Sequence, residues 1–180
     1  MCLKAEICEG KVIRQGRDVV RSALVNEIKR GVEAIHLVDD FTFRKQANGT
    51  TSIGDQFRHN LDFLNGFLNG IRVGRIDYGK RKRDGRVAKD RHYAIRQFET
   101  VISHFENLRR ADFEATISVA SEIDETVWVA SSVMREMEFV HSHTIHHHAL
   151  IAEKLAGFGV SLEEHFGVSP STLAYWRQAA

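Results

Sequence analysis

Proline is almost missing: Pro170 is the one proline in 180 residues. Because proline breaks helix interiors and pushes the residue before it out of the helical region, its scarcity leaves room for long uninterrupted helices. Cysteine is nearly as rare. Cys2 and Cys8 both lie close to the N-terminus, where a disulfide would close a short loop and stabilise little, so they read as reduced thiols of a cytoplasmic protein. No apolar run approaches the roughly 20 residues that cross a bilayer, and Lys4, Glu6 and Glu9 interrupt the stretch where a secretory signal would carry its apolar core. Charge of one sign is lacking too. With 25 Lys and Arg against 24 Asp and Glu, the formal net charge of +1 provides no global field toward nucleic acid or membrane. There is no internal repeat and no low-complexity tract.

What is present is the composition of a folded globular chain, 43% hydrophobic and 27% charged. Residues 1–180 are long enough to bury one core without staples and read as a single domain. Apolar residues recur at helical spacing in four long segments. The first runs from about Lys11 to Asp39, with Ile13, Val20, Leu24, Ile28 and Ile35 in line. Residues Thr42 to Thr51, with Asn48-Gly49, read as a loop, after which Ser52 caps a second helix from Ile53 to about Ile71, carrying Ile53, Phe57, Leu61, Leu64 and Leu68 toward a core. A basic connection from Gly74 to Gly85 leads to a third helix over about Arg86 to Arg110.

The pattern then changes period. Ile117, Val119, Ile123, Val127 and Val129 alternate with polar residues, which predicts a short hairpin. The fourth long helix follows and is expected to end at Gly157 in a left-handed cap. Ser169-Pro170 starts a short terminal helix that bears Tyr175 and Trp176. The expected architecture is all-α: a four-helix bundle with a short β-hairpin before the last long helix.

Five of the ten histidines fall between His141 and His148, inside that fourth helix. At 100° per residue, Val133, Met137, Val140, Thr144, His147, Ile151 and Leu155 lie within about 40° of one line. His143 precedes His147 by one turn, so the two imidazoles sit about 6 Å apart on one face and can converge on one ion. His141, His146 and His148 are expected on the flanks or outward. Two ligands do not complete a site, and a catalytic zinc centre takes three. His59 is the best third candidate, since it lies beside the apolar stripe of the second helix, on the flank shared by Gln56 and Phe63. Asp62, three residues on, is placed to orient its imidazole. The alternative is that each histidine is an isolated surface or core residue.

Rival metal motifs fail on spacing. A zincin needs Glu directly after the first histidine, and that position is Thr144. Glu33-x-x-His36 and Glu138-x-x-His141 match the di-iron pattern, but both are turned away from the apolar lines of their helices.

The stretch Thr51-Ser-Ile-Gly-Asp-Gln-Phe-Arg-His59-Asn-Leu-Asp62, followed by Ser142-His143-Thr-Ile-His146-His147, resembles the DinB-like superfamily of metal-binding four-helix bundles. The resemblance extends to Ile76-Asp77-Tyr78 with Arg81 and Arg83, to Ser131-Ser132 with Arg135-Glu136, and to Phe166 through Leu173, so it covers nearly the whole chain. It implies a divalent zinc or nickel ion on His59, His143 and His147, commonly in a homodimer. Several members are thiol-dependent transferases or isomerases that use low-molecular-weight thiols. The chain departs from the pattern at Thr51, where many relatives have tryptophan, at Gln56, where a histidine is frequent, and at His148-Ala149-Leu150.

A three-imidazole ion would support hydrolysis or attack by a thiol on a small-molecule substrate. No serine or cysteine nucleophile with a nearby base can be assigned. Residues 72–96 hold ten Lys or Arg against three Asp. That excess reads either as a mouth for an anionic substrate, with Arg81 and Arg83 as contacts and Tyr78 as a proton donor, or as a solvated connection with local ion pairs. Nucleic-acid binding is not expected, for want of interleaved aromatics and of any recognised motif. Three readings follow: a metal-dependent transferase or hydrolase, a non-catalytic bundle stabilised by its metal, and a stress-associated interaction protein that binds through the basic connection.

Overall fold

The computed structural model describes residues 2–46 and 50–179, with side chains from residue 16 onward except at residue 110. The anticipated Asn48-Gly49 turn and the side chains of Cys2, Cys8 and Ile13 lie outside the described residues. Four long helices form the body: α1 (Cys2–His36), α3 (Ile53–Val73), α4 (Arg91–Glu106) and α6 (Val133–Gly157). Helix α6 packs against α1 and α3, and α4 packs against the same two from the other side, which closes a four-membered ring. Three short helices complete the helical set among the described residues: α2 (Asp40–Arg44), α5 (Arg110–Glu114) and α7 (Pro170–Ala179).

The apolar lines expected from the sequence are the faces that meet. Leu24, Ile28 and Ile35 of α1, Phe57, Leu61 and Leu64 of α3, Phe98 and Phe105 of α4, and Met137, Val140 and Ile151 of α6 are all buried. Phe67 stacks on Phe105 at 5.6 Å and Phe57 meets Phe98 edge-on at 5.7 Å, which ties α3 to α4. Each large side chain removed from water contributes about 1.5–3 kcal/mol, so this aromatic seam is a main source of cohesion.

Helix starts follow local chemistry. Ser52 and Asp55 form a reciprocal box in which Asp55 N donates to Ser52 Oγ at 3.0 Å and Ser52 N donates to Asp55 Oδ2 at 2.9 Å. Asp90 accepts from Tyr93 N, Ser132 from Arg135 N and Ser169 from Thr172 N. Gly74 ends α3 at φ 72°, a left-handed conformation that glycine adopts without strain.

The hairpin is present as β2 (Thr116–Ala120) and β3 (Trp128–Ser132), paired antiparallel with Thr116 opposite Ser132. A third strand, β1 (Arg75–Ile76), was not expected. It runs parallel to β2, with Arg75 opposite Ser118, and occupies the start of what read as a basic loop. Two residues carry too little alternation to announce a strand, and their pairing is with residues some forty positions away. Other boundaries also shift. Helix α4 begins at Arg91 rather than Arg86 because Asp90 is its cap, and it stops at Glu106, before α5. Helix α2 occupies part of the expected loop, capped by Asp39. The left-handed glycine after α6 is Gly159 at φ 72°, not Gly157, which is still helical.

Candidate metal centre

His59 comes from α3, and His143 and His147 come from α6, two helices that pack side by side in the ring. One ring nitrogen from each lies within 4.8 Å of the other two. Ring centroids stand 5.3 Å apart for His59 and His143, 4.8 Å for His59 and His147, and 4.5 Å for His143 and His147. Between the two α6 histidines, the buried Thr144 hydroxyl lies 3.0 Å from Asn60 Oδ1 and 2.8 Å from Val140 O. That contact pins the helices at the level where the imidazoles converge.

The surroundings favour metal ligation over protonation. His147 Nδ1 lies 2.7 Å from Gln56 Oε1, and an amide oxygen only accepts, so Nδ1 carries the proton and Nε2 the free lone pair. The Gln56 amide nitrogen donates in turn to Thr51 Oγ1 at 2.6 Å, which sets its orientation. His143 Nδ1 is buried with no hydrogen-bond partner among the described residues. Burial, reinforced by the neighbouring imidazoles, holds the His147 pKa down to about 3. For His143 the same causes, with Arg81 added, bring it to about 4. His59 is lowered as well, by burial first and then by Arg81, Arg58 and Arg83. Three neutral imidazoles with converging nitrogens and an orphaned buried nitrogen fit a divalent ion.

An aromatic wall closes one side. Phe63 stacks on His143 at 3.9 Å and lies 5.0 Å from His59, with Phe139 6.0 Å from His143. His146 is exposed beside His147, with ring centroids 5.3 Å apart.

Several expected roles change. Asp62 does not orient His59: its carboxylate accepts from Arg58 Nη1 at 2.7 Å, one turn away on the same helix. Tyr78 is not a proton donor to the site. It stacks on Phe63, one ring removed from the imidazoles, and its hydroxyl donates to Glu136 Oε2 at 3.2 Å. Burial, with the Glu136 charge, pushes its pKa far above the ordinary phenol range. Arg83 is exposed and reaches the site through its charge alone, whereas Arg81 is half-buried against Phe63.

The largest correction concerns His148, which was expected on a flank or outward and is 1% exposed. Its Nδ1 lies 2.6 Å from Glu27 Oε1 on α1, and its ring stacks on Phe166 at 4.5 Å. Gly31 and Gly167 make the room, since a Cβ at Gly31 would come within 2.7 Å of the imidazole and one at Gly167 within 2.5 Å of the Ala149 backbone. Helix α6 has two buried stripes, one toward α3 and a second, through Ile145 and His148, toward α1. The spacing of His141, Ile145, His148 and Ala152 carries this second stripe at i, i+4, i+7 and i+11, and could have been read. Glu33, His36 and Glu138 are exposed, consistent with setting di-iron chemistry aside.

No family model matches the chain. Among curated proteins it is 28% identical to FK506-binding protein 5 of Rhizopus delemar over 104 residues, 56% of this chain. The chain spans only 27% of that protein's length. Among solved structures it superposes on a DinB-like protein of Bacillus subtilis, YjoA, with a TM-score of 0.63 over 82% of this chain and 97% of that one, at 16% identity. The chain has the DinB-like fold. A second such structure, YfiT of the same bacterium, is described as a probable metal-dependent hydrolase with an unusual four-helix bundle topology. It matches with a TM-score of 0.61 at 13% identity, covering 81% of this chain and 89% of that one. Within this DinB-like fold, no helix among the described residues is long and apolar enough to cross a membrane.

Proposed function

We propose that the chain is a metal-dependent enzyme acting on a small molecule, with one divalent ion, zinc or nickel, held by His59, His143 and His147. The observation that carries this reading is the convergence of three neutral imidazoles within 4.8 Å, one of them fixed in its tautomer by Gln56. Three histidine ligands with no carboxylate leave a divalent ion its full charge and room for a further ligand. When bound, such an ion supplies Lewis-acid chemistry suited to hydrolysis or to attack by a low-molecular-weight thiol. The description of YfiT favours the hydrolytic branch, while the resemblance to thiol-dependent members of the superfamily favours the other.

The chain's own residues have distinct tasks. Gln56 holds the His147 proton at Nδ1 and so keeps Nε2 available. Asn60 with Thr144 keeps α3 and α6 in register, and Phe63 with Phe139 excludes water from one side of His143. Among the described residues no serine or cysteine is hydrogen-bonded to a histidine, so the nucleophile is solvent or an added thiol.

The test is metal analysis of the purified wild type beside His59→Ala and His146→Ala, followed by turnover of ester, amide and thiol-plus-electrophile panels with and without a chelator. About one ion per chain is expected in the wild type and in His146→Ala, and none in His59→Ala. Unchanged metal in His59→Ala overturns the site. Bound metal with no chelator-sensitive turnover on any panel marks a non-catalytic bundle instead.

A further inference from the structure

A groove of about 640 Å³ runs between α3 and the segment that carries β1 and the start of α4; none of the three histidines lines it, and Arg81 links it to them through Phe63. That volume is in the range of small-molecule sites. Its acidic groups are all engaged. Asp62 accepts from Arg58 at 2.7 Å, Asp77 pairs with Lys80 at 3.4 Å, and Asp84 accepts from the Tyr93 hydroxyl at 2.8 Å and from Arg86 N at 3.0 Å. Its cations are less matched. Arg75, Arg81 and Lys82 line the groove and pair with no carboxylate within 4.0 Å among the described residues.

Arg81 stands out among the three. Its guanidinium carbon lies 4.4 Å from the centroid of Phe63, the ring that stacks on His143 and touches His59. One Nη donates to the Tyr78 carbonyl, and Nε is buried with no hydrogen-bond partner. The charges of Asp62 and Glu122 act on Arg81 only from a distance, so a half-buried cation with no carboxylate in direct contact keeps a donor and charge for an incoming anion. Arg75 rests on Trp128 at 4.0 Å, and Lys82 is exposed at the rim.

We propose that this groove is an anion subsite with Arg81 as its principal contact, so that the molecule handled at the metal centre is a small organic anion, a carboxylate or a phosphate. The inference rests on the metal-enzyme reading for what happens to that molecule, and on the groove alone for its charge. Binding energy from the anionic end, one side chain away from the imidazoles, holds the reacting group beside the ion.

The test is calorimetric titration of metal-loaded protein with inorganic phosphate and with succinate, using succinamide as the uncharged counterpart. Both anions are expected to bind with an affinity that falls as salt rises, and succinamide is not. Arg81→Met is expected to weaken them about tenfold or more at unchanged metal content, and Lys82→Met a few-fold. Should Arg81→Met fail to fold, the wild type still decides. Phosphate must shift the side-chain amide NMR signals of Asn65 and Asn69, which line the groove, and no shift overturns the subsite. Equal anion affinity in folded Arg81→Met also overturns it, since the anion then sits on the metal alone. If metal is retained but neither anion binds, the subsite falls and the metal centre stands. If Arg81-dependent binding is found in a protein that cannot be loaded with metal, the subsite stands and the metal-enzyme reading falls.

Discussion

His147 and His148 are adjacent on α6, and both imidazoles are buried, yet their surroundings suit opposite tasks. His147 faces α3 and meets a neutral amide, Gln56, beside two more imidazoles. The amide leaves Nε2 free, and the cluster of three imidazoles found among the described residues contains no carboxylate. His148 faces α1 and meets a carboxylate, Glu27, with Arg30 bonded to the same carboxylate at 2.8 Å and Phe166 stacked on the ring. That imidazole is consumed by a structural network joining α1, α6 and the segment before α7. What separates a candidate ligand from a strut is the partner on the neighbouring helix, because identity, burial and helix are shared.

Substitutions at the two positions should therefore fail differently. The largest effect is expected for His147→Ala, as for His59→Ala: loss of essentially all bound metal, measured by elemental analysis of purified protein. His148→Ala should keep its metal but lose about 3 kcal/mol of stability, because it leaves a cavity against Phe166 and takes one of its two partners from the buried Glu27 carboxylate, which keeps Arg30. Urea denaturation of chelated protein measures that loss. A His148→Ala protein that folds normally and binds no metal would merge the two stripes into one site and end the contrast.

Gln56→Ala sharpens the comparison from the other side. Removing the acceptor that fixes the His147 tautomer is expected to weaken metal affinity about 10- to 100-fold with the fold intact, read by competition with a chromophoric chelator. A smaller effect concerns pH. In metal-free protein the His143 pKa is held to about 4 and that of His147 to about 3, against about 6.5 in the unfolded chain. The unfolded state then binds more protons between those values, so stability is full above about pH 6.5 and declines as pH falls toward 4. The wild-type decline should be steeper than that of His143→Asn. His146→Ala, on the exposed flank, should change neither metal content nor stability measurably.

Much of this was legible in residue order. The lines Ile53, Phe57, Leu61, Leu64 and Met137, Val140, Thr144, His147 announce amphipathic helices, and they are the buried faces. Ser52 and Ser169 announce helix starts that the backbone confirms. The hairpin was visible as a change of period from 3.6 to 2, whereas β1 was not, since two residues cannot display a period. Asp62 and Tyr78 were misjudged because adjacency along a helix or loop says nothing of competing partners: Arg58 and Glu136 take their polar atoms.

Sequence alone determined the four helices, their caps, and a pair of histidines one turn apart on an inward face. Local spacing fixes which side of a helix a residue occupies, and hydrophobic burial turns that side inward. Only the tertiary structure decided which imidazole meets which partner. Gln56 and Glu27 are 91 and 121 positions away from the histidines they hold, and α6 packs on two helices at once and buries two stripes rather than one. The ring of four helices places His59 against His143 and His147, sends His148 the other way, and leaves Arg81 half-buried against Phe63 with no carboxylate within 4.0 Å among the described residues.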